Sequence, residues 1–593
     1  MESKIRERIE LLREKMKEKE ISAWYISGTD PHQSEDLPLH WQSRKFITGF
    51  TGSMGMVVIT LQDAALWTDS RYFLQAGKEL EKSGVRLMKL RTEGFPTPAE
   101  WLKTILPAGS MVGTDGECIS AGEFRSLKNL LAAGAIGLTD TGDLLDGIWK
   151  DRDPVPATPV FEHEIRFAGS SRTEKTGRIR ELLKASGAQS TIIPSLDDLA
   201  WLFNLRGRDI LSNPVFIAYG MLTTDFACIY IHPEKMPTEI SEKLMEEGVS
   251  VRPYRAIFDD LRHLKGKVLI DPARTNQALY EALPETAEIV EQLSLPARAK
   301  AVKSSAELEQ IRQSMIKDGV AMVQLLHWID RTVGAQEVTD YDIAVKTEYF
   351  RSLQEGFTEA SFPPIVGYKE TGALVHRRVS RENAVPVLRE GVLLIDSGGQ
   401  YLSGTTDITR TVSLGQPSAQ EKQDFTLALK GMISLSTVRF PAGLRGVNLD
   451  ILARKAMWDQ GINYGHGTSH GVGFFLNVHE GPMSIRMEYN ENPIVPGMVL
   501  SNEPGIYREG LHGVRTENLM VCVEKETSQF GQFYGFDTLT LCPVDLCLIE
   551  KSLLTEAEKD WINRYHQQCR QVLAPFLSRE ETDFLRSITE ILE

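Results

Sequence analysis

The chain opens with apolar residues at Ile5, Ile9, Leu12 and Met16, set among charged positions. That spacing predicts an amphipathic helix. An apolar run from Ile21 to Ile26 reads as a strand. The segments F-I-T-G-F-T-G-S-M-G-M-V-V-I-T and A-A-L-W-T-D-S-R-Y follow, an aromatic, Gly-containing stretch and two further strands. The same succession then returns. Ser171 and Glu174 have capping-box spacing, Ile179, Leu182 and Leu183 mark a helix, and Thr191 to Ile193 mark a strand. W-L-F-N-L-R-G, P-V-F-I-A-Y and F-A-C-I-Y-I complete the second series. The two stretches read as two copies of one α/β unit.

Three prolines, Pro154, Pro156 and Pro159, suit an extended linker between the copies. A second boundary precedes Ser304 and Glu307, another capping-box pair. Leu308, Ile311, Met315, Val320, Leu325 and Trp328 then carry a long helical pattern. Domains are therefore expected at 1–158, 159–303 and 304–593. In the third, the stretch from Phe357 to Leu541 is β-rich and Gly-rich and reads as antiparallel hairpins. A tail from Thr555 has capping spacing to Glu558 and a stripe of Trp561, Tyr565, Cys569 and Val572. It reads as a packing helix and a candidate subunit contact.

A chain of 593 residues is too long for one core. Its net charge of −15 argues against nucleic-acid binding as the main task, since phosphate contacts need a basic surface. No apolar run approaches the roughly 18 residues a membrane span needs, and the charged start has no apolar signal core. The cysteines at 118, 228, 522, 542, 547 and 569 form no C-x-x-C pair. Reduced thiols in a cytoplasmic protein are expected.

Candidate chemistry gathers in the third domain. Asp396, Asp407, His470, Glu503 and Glu517 each sit at or beside a short β-like run. Acidic residues are depleted in strands, so four at strand edges need a cause. Two divalent cations bring four positive charges, which four carboxylates cancel. Of these side chains, only the carboxylates have two oxygens placed to bridge ions about 3.5–4 Å apart. Oxygen-rich ligation with one imidazole favours Mn2+ first, with Co, Fe or Zn as alternatives.

The order Asp, Asp, His, Glu, Glu, with its flanking glycines, resembles the metal site of the pita-bread metallopeptidases. The segments R-K-F-I-T-G-F-T-G-S, L-W-T-D-S-R-Y and S-N-P-V-F look like the long, three-domain cytosolic aminopeptidase P branch. That resemblance spans essentially the whole chain. It implies an α/β and α+β multidomain fold: two related creatinase-like N-terminal α/β domains, then a catalytic pita-bread domain. It further implies that Asp407 and Glu517 bridge two metal ions, that Asp396 holds one, and that His470 and Glu503 hold the other. A hydroxide between the ions would attack the peptide, and Glu503 would shuttle a proton. His376, His466 and His479 match histidines that line the substrate site. Tyr507 and Arg515 match the supporting residues around the metals. The substrates implied are peptides with proline in second place, and a homodimer is implied.

Four other readings compete. Prolidase, which takes dipeptides, is the runner-up. A pita-bread binding module without catalysis would lack the ligands that are present here. Creatinase shares the fold without using the metals. Gly467-Thr468-Ser469-His470-Gly471 also matches a nucleophile elbow, with Asp537 and His566 following in order. An elbow requires a helix after it, and G-V-G-F-F-L-N-V is not helix-like. Nor do His466 and His470 read as a helical zinc pair, because three glycines in eight residues favour extended chain.

Overall fold

A computed structural model describes residues 2–593, with side chains from Lys4 onward. The chain divides into two compact units. One comprises Met1–Glu164, Ser170–Leu211 and Val215–Ala299; the other comprises Ile165–Gly169, Ser212–Pro214 and Lys300–Glu593.

The first unit begins with helix α1 (Glu2–Glu18), whose Ile5, Ile9, Leu12 and Met16 are all buried. Strands β1 (Ala23–Ile26), β2 (Met56–Thr60), β3 (Ala64–Thr68), β4 (Arg86–Lys89), β5 (Met111–Thr114) and β6 (Gly137–Asp140) form one sheet. Its order is β4-β3-β2-β1-β5-β6. No element occupies 154–159, the proline-rich stretch. Helix α2 (Arg172–Ala185) follows, and its Ser171–Glu174 capping box is formed. Strands β7 (Ser190–Ile193), β8 (Ala218–Thr223), β9 (Ala227–Ile231), β10 (Val249–Pro253), β11 (Lys267–Ile270) and β12 (Glu288–Glu291) build a second sheet, ordered β10-β9-β8-β7-β11-β12. Strand for strand this is the order of the first sheet. The senses match too: the first strand of each is antiparallel to the second and parallel to the fifth.

A buried polar network joins the copies. His32 Nδ1–H donates to Pro194 O at 2.9 Å, and Tyr254 O–H donates to His32 Nε2 at 3.0 Å. Asn276 Nδ2 donates to Pro31 O at 2.8 Å. Burial pushes the His32 imidazole down to about 3, so the ring is neutral.

The second unit opens with α3 (Ser305–Thr332), capped by the Ser304–Glu307 box, and α4 (Asp340–Ser352). Strands β13 (Ile365–Tyr368), β14 (Val392–Ser397) and β15 (Ile408–Ser413) form an antiparallel sheet with β14 central. Here the sequence expectation needs correcting. The stretch after Phe357 is not all hairpins, because α5 (Ala419–Thr437) and α6 (Gly446–Trp458) interrupt it. Helix α5 is buried on nearly every side, from Phe425 through Leu435, so it lacks the polar face that makes a helical period visible.

A six-stranded sheet follows. Its members are β16 (Arg439–Pro441), β17 (Ser469–Gly471), β18 (Glu480–Ile485) and β19 (Val499–Asn502), then, beyond the hairpin β20 (Gly505–Arg508) and β21 (His512–Arg515), β22 (Asn518–Ser528) and β23 (Gly531–Thr538). The order is β16-β23-β22-β19-β17-β18. Helix α7 (Glu556–Leu573) has the expected Thr555–Glu558 box and buries Tyr565 and Cys569. The Tyr565 hydroxyl accepts from Arg410 Nη2 at 2.9 Å and from Cys542 N at 3.2 Å.

Candidate metal centre

Strand register assembles the site. In the three-stranded sheet, Asp396 lies opposite Thr409, and Asp407 stands immediately before β15. Asp407 and Thr409 are two apart and share a face. In the larger sheet, Asn502 pairs with Asn518, so Glu503 and Glu517 leave neighbouring strands at the same level. Glu517 N donates to Thr409 O at 3.1 Å and ties the two sheets together. Oxygen or nitrogen atoms of Asp407, His470 and Glu517 all lie within 4.8 Å of one another.

His470 extends from β17. Its Nδ1–H donates to Gly471 O at 2.9 Å, which orients the ring and aims Nε2 at the carboxylates. That nitrogen faces Asp407 Oδ2 at 3.4 Å and Glu503 Oε1 at 3.5 Å. A cation on that nitrogen, a proton or a metal ion, would answer both carboxylates. Two further oxygens make the same point: Asp396 Oδ1 and Glu517 Oε1 are buried with no hydrogen-bond partner. Burial, together with neighbouring carboxylates, drives Asp407 and Glu517 above the usual carboxylate range and Glu503 to about 7. Oxygen donors plus one oriented imidazole suit a divalent transition metal.

The supporting residues form a connected chain. Arg515 Nη2 donates to Asp396 Oδ2, and Nη1 donates to the Tyr507 hydroxyl at 2.6 Å. Tyr507 O–H lies 2.8 Å from His466 Nε2, and His466 Nδ1–H donates to Gly467 O at 2.8 Å. The two His466 nitrogens are thus engaged within the protein, and the ring orients Tyr507. Gly505 is required here, because a Cβ would meet the Tyr507 hydroxyl at 2.6 Å. The His479 ring stands edge-on to His470, centroids 4.4 Å apart. His376 is half-buried in the loop after β13. Its neighbour Arg377 anchors that loop by donating to Val366 O in β13, the strand beside Asp396.

Sequence reasoning missed two residues. Thr409 Oγ1–H donates to Glu517 Oε2 at 2.7 Å and accepts from Arg515 Nε at 3.2 Å. Arg410 points to the opposite face and donates to Glu517 O at 2.6 Å, among other carbonyls. The signal was the alternation in T-D-I-T-R-T. The nucleophile-elbow alternative fails structurally. Ser469 lies within β17, which no helix follows, and His566 Nε2 accepts from Val544 N. His466 lies outside β17 and shares no helix with His470.

Residues 309–524 match the model of metallopeptidase family M24, and 532–592 match the C-terminal region of that family. Residues 8–148 and 151–307 each match the creatinase/prolidase N-terminal domain. A probable Xaa-Pro aminopeptidase P from Paracoccidioides brasiliensis is 38% identical over 97% of each chain. The chain belongs to metallopeptidase family M24. Another relative, Xaa-Pro aminopeptidase 1 of Dictyostelium discoideum, is 37% identical over 98% of this chain and 95% of its own. The X-prolyl aminopeptidase of Caenorhabditis elegans superposes with a TM-score of 0.93 at 32% identity, covering 96% of this chain and 95% of that one. It is described as a cytosolic enzyme with a di-nuclear active site. A Bacillus anthracis Xaa-Pro dipeptidase shares the fold over 63% of this chain, at TM-score 0.51 and 22% identity. The two N-terminal matches agree with the repeated strand order.

Proposed function

We propose that this chain is an Xaa-Pro aminopeptidase: it releases the first residue of peptides whose second residue is proline. The observation that carries a metal-dependent reaction is the pair of orphaned oxygens, Asp396 Oδ1 and Glu517 Oε1, inside the four-carboxylate cluster. Preference for proline, and for longer peptides over dipeptides, rests on the full-length likeness to named Xaa-Pro aminopeptidases.

Asp396, Asp407, His470, Glu503 and Glu517 would hold two divalent ions, Mn2+ being the first choice. When bound, such ions supply Lewis acidity that polarises a carbonyl and acidifies water. The residues of the chain do the rest. Arg515 holds and aims Asp396, and Thr409 holds and aims Glu517. Glu503 takes a proton from the attacking water and returns it to the proline nitrogen, which lacks its own N–H as an amide. His479 and His376 donate to the peptide as negative charge develops on its carbonyl oxygen. His466 acts one step back, through Tyr507.

We take the domains as 1–158, 159–303 and 304–593, a division supported by the family-model matches. A cytoplasmic homodimer completes the proposal. No helix of the described residues is long and apolar enough to cross a membrane. The test is hydrolysis of Arg-Pro-Pro and Ala-Pro by metal-stripped protein, with and without added Mn2+. Mn-dependent release of arginine with little dipeptide cleavage is the expected result. Preference for Ala-Pro would make the chain a prolidase. Cleavage of neither, with metal demonstrably bound, would leave a binding module.

A further inference from the structure

Between His470 and β18 the chain is held more tightly than a connecting loop requires. Gly473 N donates to Asn477 O at 3.0 Å and closes a turn. Within it, Phe475 has φ of +49° and is buried. A bulky residue in the left-handed region is a true outlier, and such strain persists only where the surroundings over-determine it.

The surroundings here are two anchors. At the first, Gln400 Nε2 donates to Leu476 O at 2.8 Å. Thr405 Oγ1 accepts from Leu476 N at 3.3 Å and lies 3.0 Å from Leu476 O and 2.9 Å from Gln400 Oε1. Gln400 and Thr405 are both buried. At the second anchor, Glu480 receives Lys303 Nζ on one oxygen and Lys300 Nζ on the other, the latter at 3.3 Å. All three side chains are at most 2% exposed. A buried ion cluster adds little net stability over well-packed apolar residues and fixes position instead.

His479 lies between the anchors. Its N donates to Asn477 Oδ1 at 3.2 Å, and Glu480 is the next residue. Glu480 also pairs across the sheet with Gly471, the neighbour of His470. Both anchors therefore bear on the stretch that sets the His479 ring 4.4 Å from His470.

We propose that Phe475–Glu480 is an arm clamped at both ends, and that Gln400, Thr405, Lys300, Lys303 and Glu480 are positioning residues that aim His479 at the peptide. This rests on the aminopeptidase reading above. Misplacing a group near the reacting bond slows the step without removing the metals.

The test uses the full-length, Mn-loaded protein with Arg-Pro-Pro. Gln400→Leu is the first variant. Glu480→Gln alone would take the shared carboxylate from two buried ammonium groups, so the second variant is Lys300→Met/Lys303→Met/Glu480→Leu, which removes all three charges at similar volume. For each, kcat is expected to fall about 10- to 100-fold with KM moving far less. Metal content, read by mass spectrometry, should not change. A crystal structure of Gln400→Leu should show the His479 ring displaced from His470. Wild-type kcat in either variant, or an unmoved ring, overturns the proposal. If the wild-type protein releases no arginine, the function assignment fails instead, and the ring position still decides the clamp.

Discussion

In the duplicated unit, Lys235 and Asp209 are both wholly buried and bond to each other, with Ile217 N also donating to Asp209. In the second unit, Asp407, Glu503 and Glu517 crowd together, two of their neighbouring oxygens go unpartnered, and burial pushes all three toward protonation. The first arrangement is closed: each charge finds its opposite within the chain. The second is open, four carboxylates answered mainly by Arg515, and it has the pattern of a site balanced from outside. Buried charge therefore marks function here by its imbalance.

The comparison breaks most sharply at Glu517. Glu517→Gln should abolish metal binding and lower peptide release by more than about 100-fold, the loss typical of a mere outer partner. Without metal, the same variant should melt above metal-free wild type, because one of four crowded carboxylates has lost its charge. Calorimetry with and without chelator checks both halves. Thr409→Val is the next step down. It removes a hydroxyl serving Glu517 and Arg515, and metal affinity measured by titration should fall about 10- to 100-fold. In the closed region, Lys235→Met should cost about 3–5 kcal/mol in thermal or urea unfolding, since Asp209 keeps its charge without its partner. Activity of the fraction that remains folded should be unaffected.

The smallest effects are in pH, and the two regions oppose each other. Glu503 in the metal-free protein is raised from 4.5 to about 7, so the folded state binds more protons in that window. Stability there falls as pH rises. His32 is lowered from 6.5 to about 3, so the unfolded state binds more protons between those values. Its contribution falls as pH falls. Each slope is bounded by about 1.4 kcal/mol per pH unit per group. Hydrogen exchange resolved by region should show the trends diverging. Parallel trends would contradict the assignment of either group.

Much of this was legible in the chain. Capping boxes at Ser171, Ser304 and Thr555 announced three helices because their side-chain bonds are local. The repeat was visible because each copy buries one helix face and alternates its strands, and the two sheets share one order. The five candidate ligands stood out because charge at a strand edge is rare, and the structure brings Asp407, His470 and Glu517 together. What escaped notice depended on tertiary surroundings. Helix α5 lost its period to all-round burial, although Ser418 and Glu421 carried a readable box. Thr409, Arg410 and Gln400 look like ordinary strand residues until their partners, about 70 or more positions away, are known.

The Tyr565 hydroxyl has one more consequence, in the order of synthesis. It holds Arg410, and Arg410 holds the carbonyl of Glu517. Tyr565 lies on α7, which follows all five candidate ligands in sequence. While the protein is being made, every candidate ligand emerges from the ribosome before the phenol that steadies two of their strands. The bonds that α7 adds behind the Glu517 strand are therefore completed only after all five candidate ligands have been synthesised.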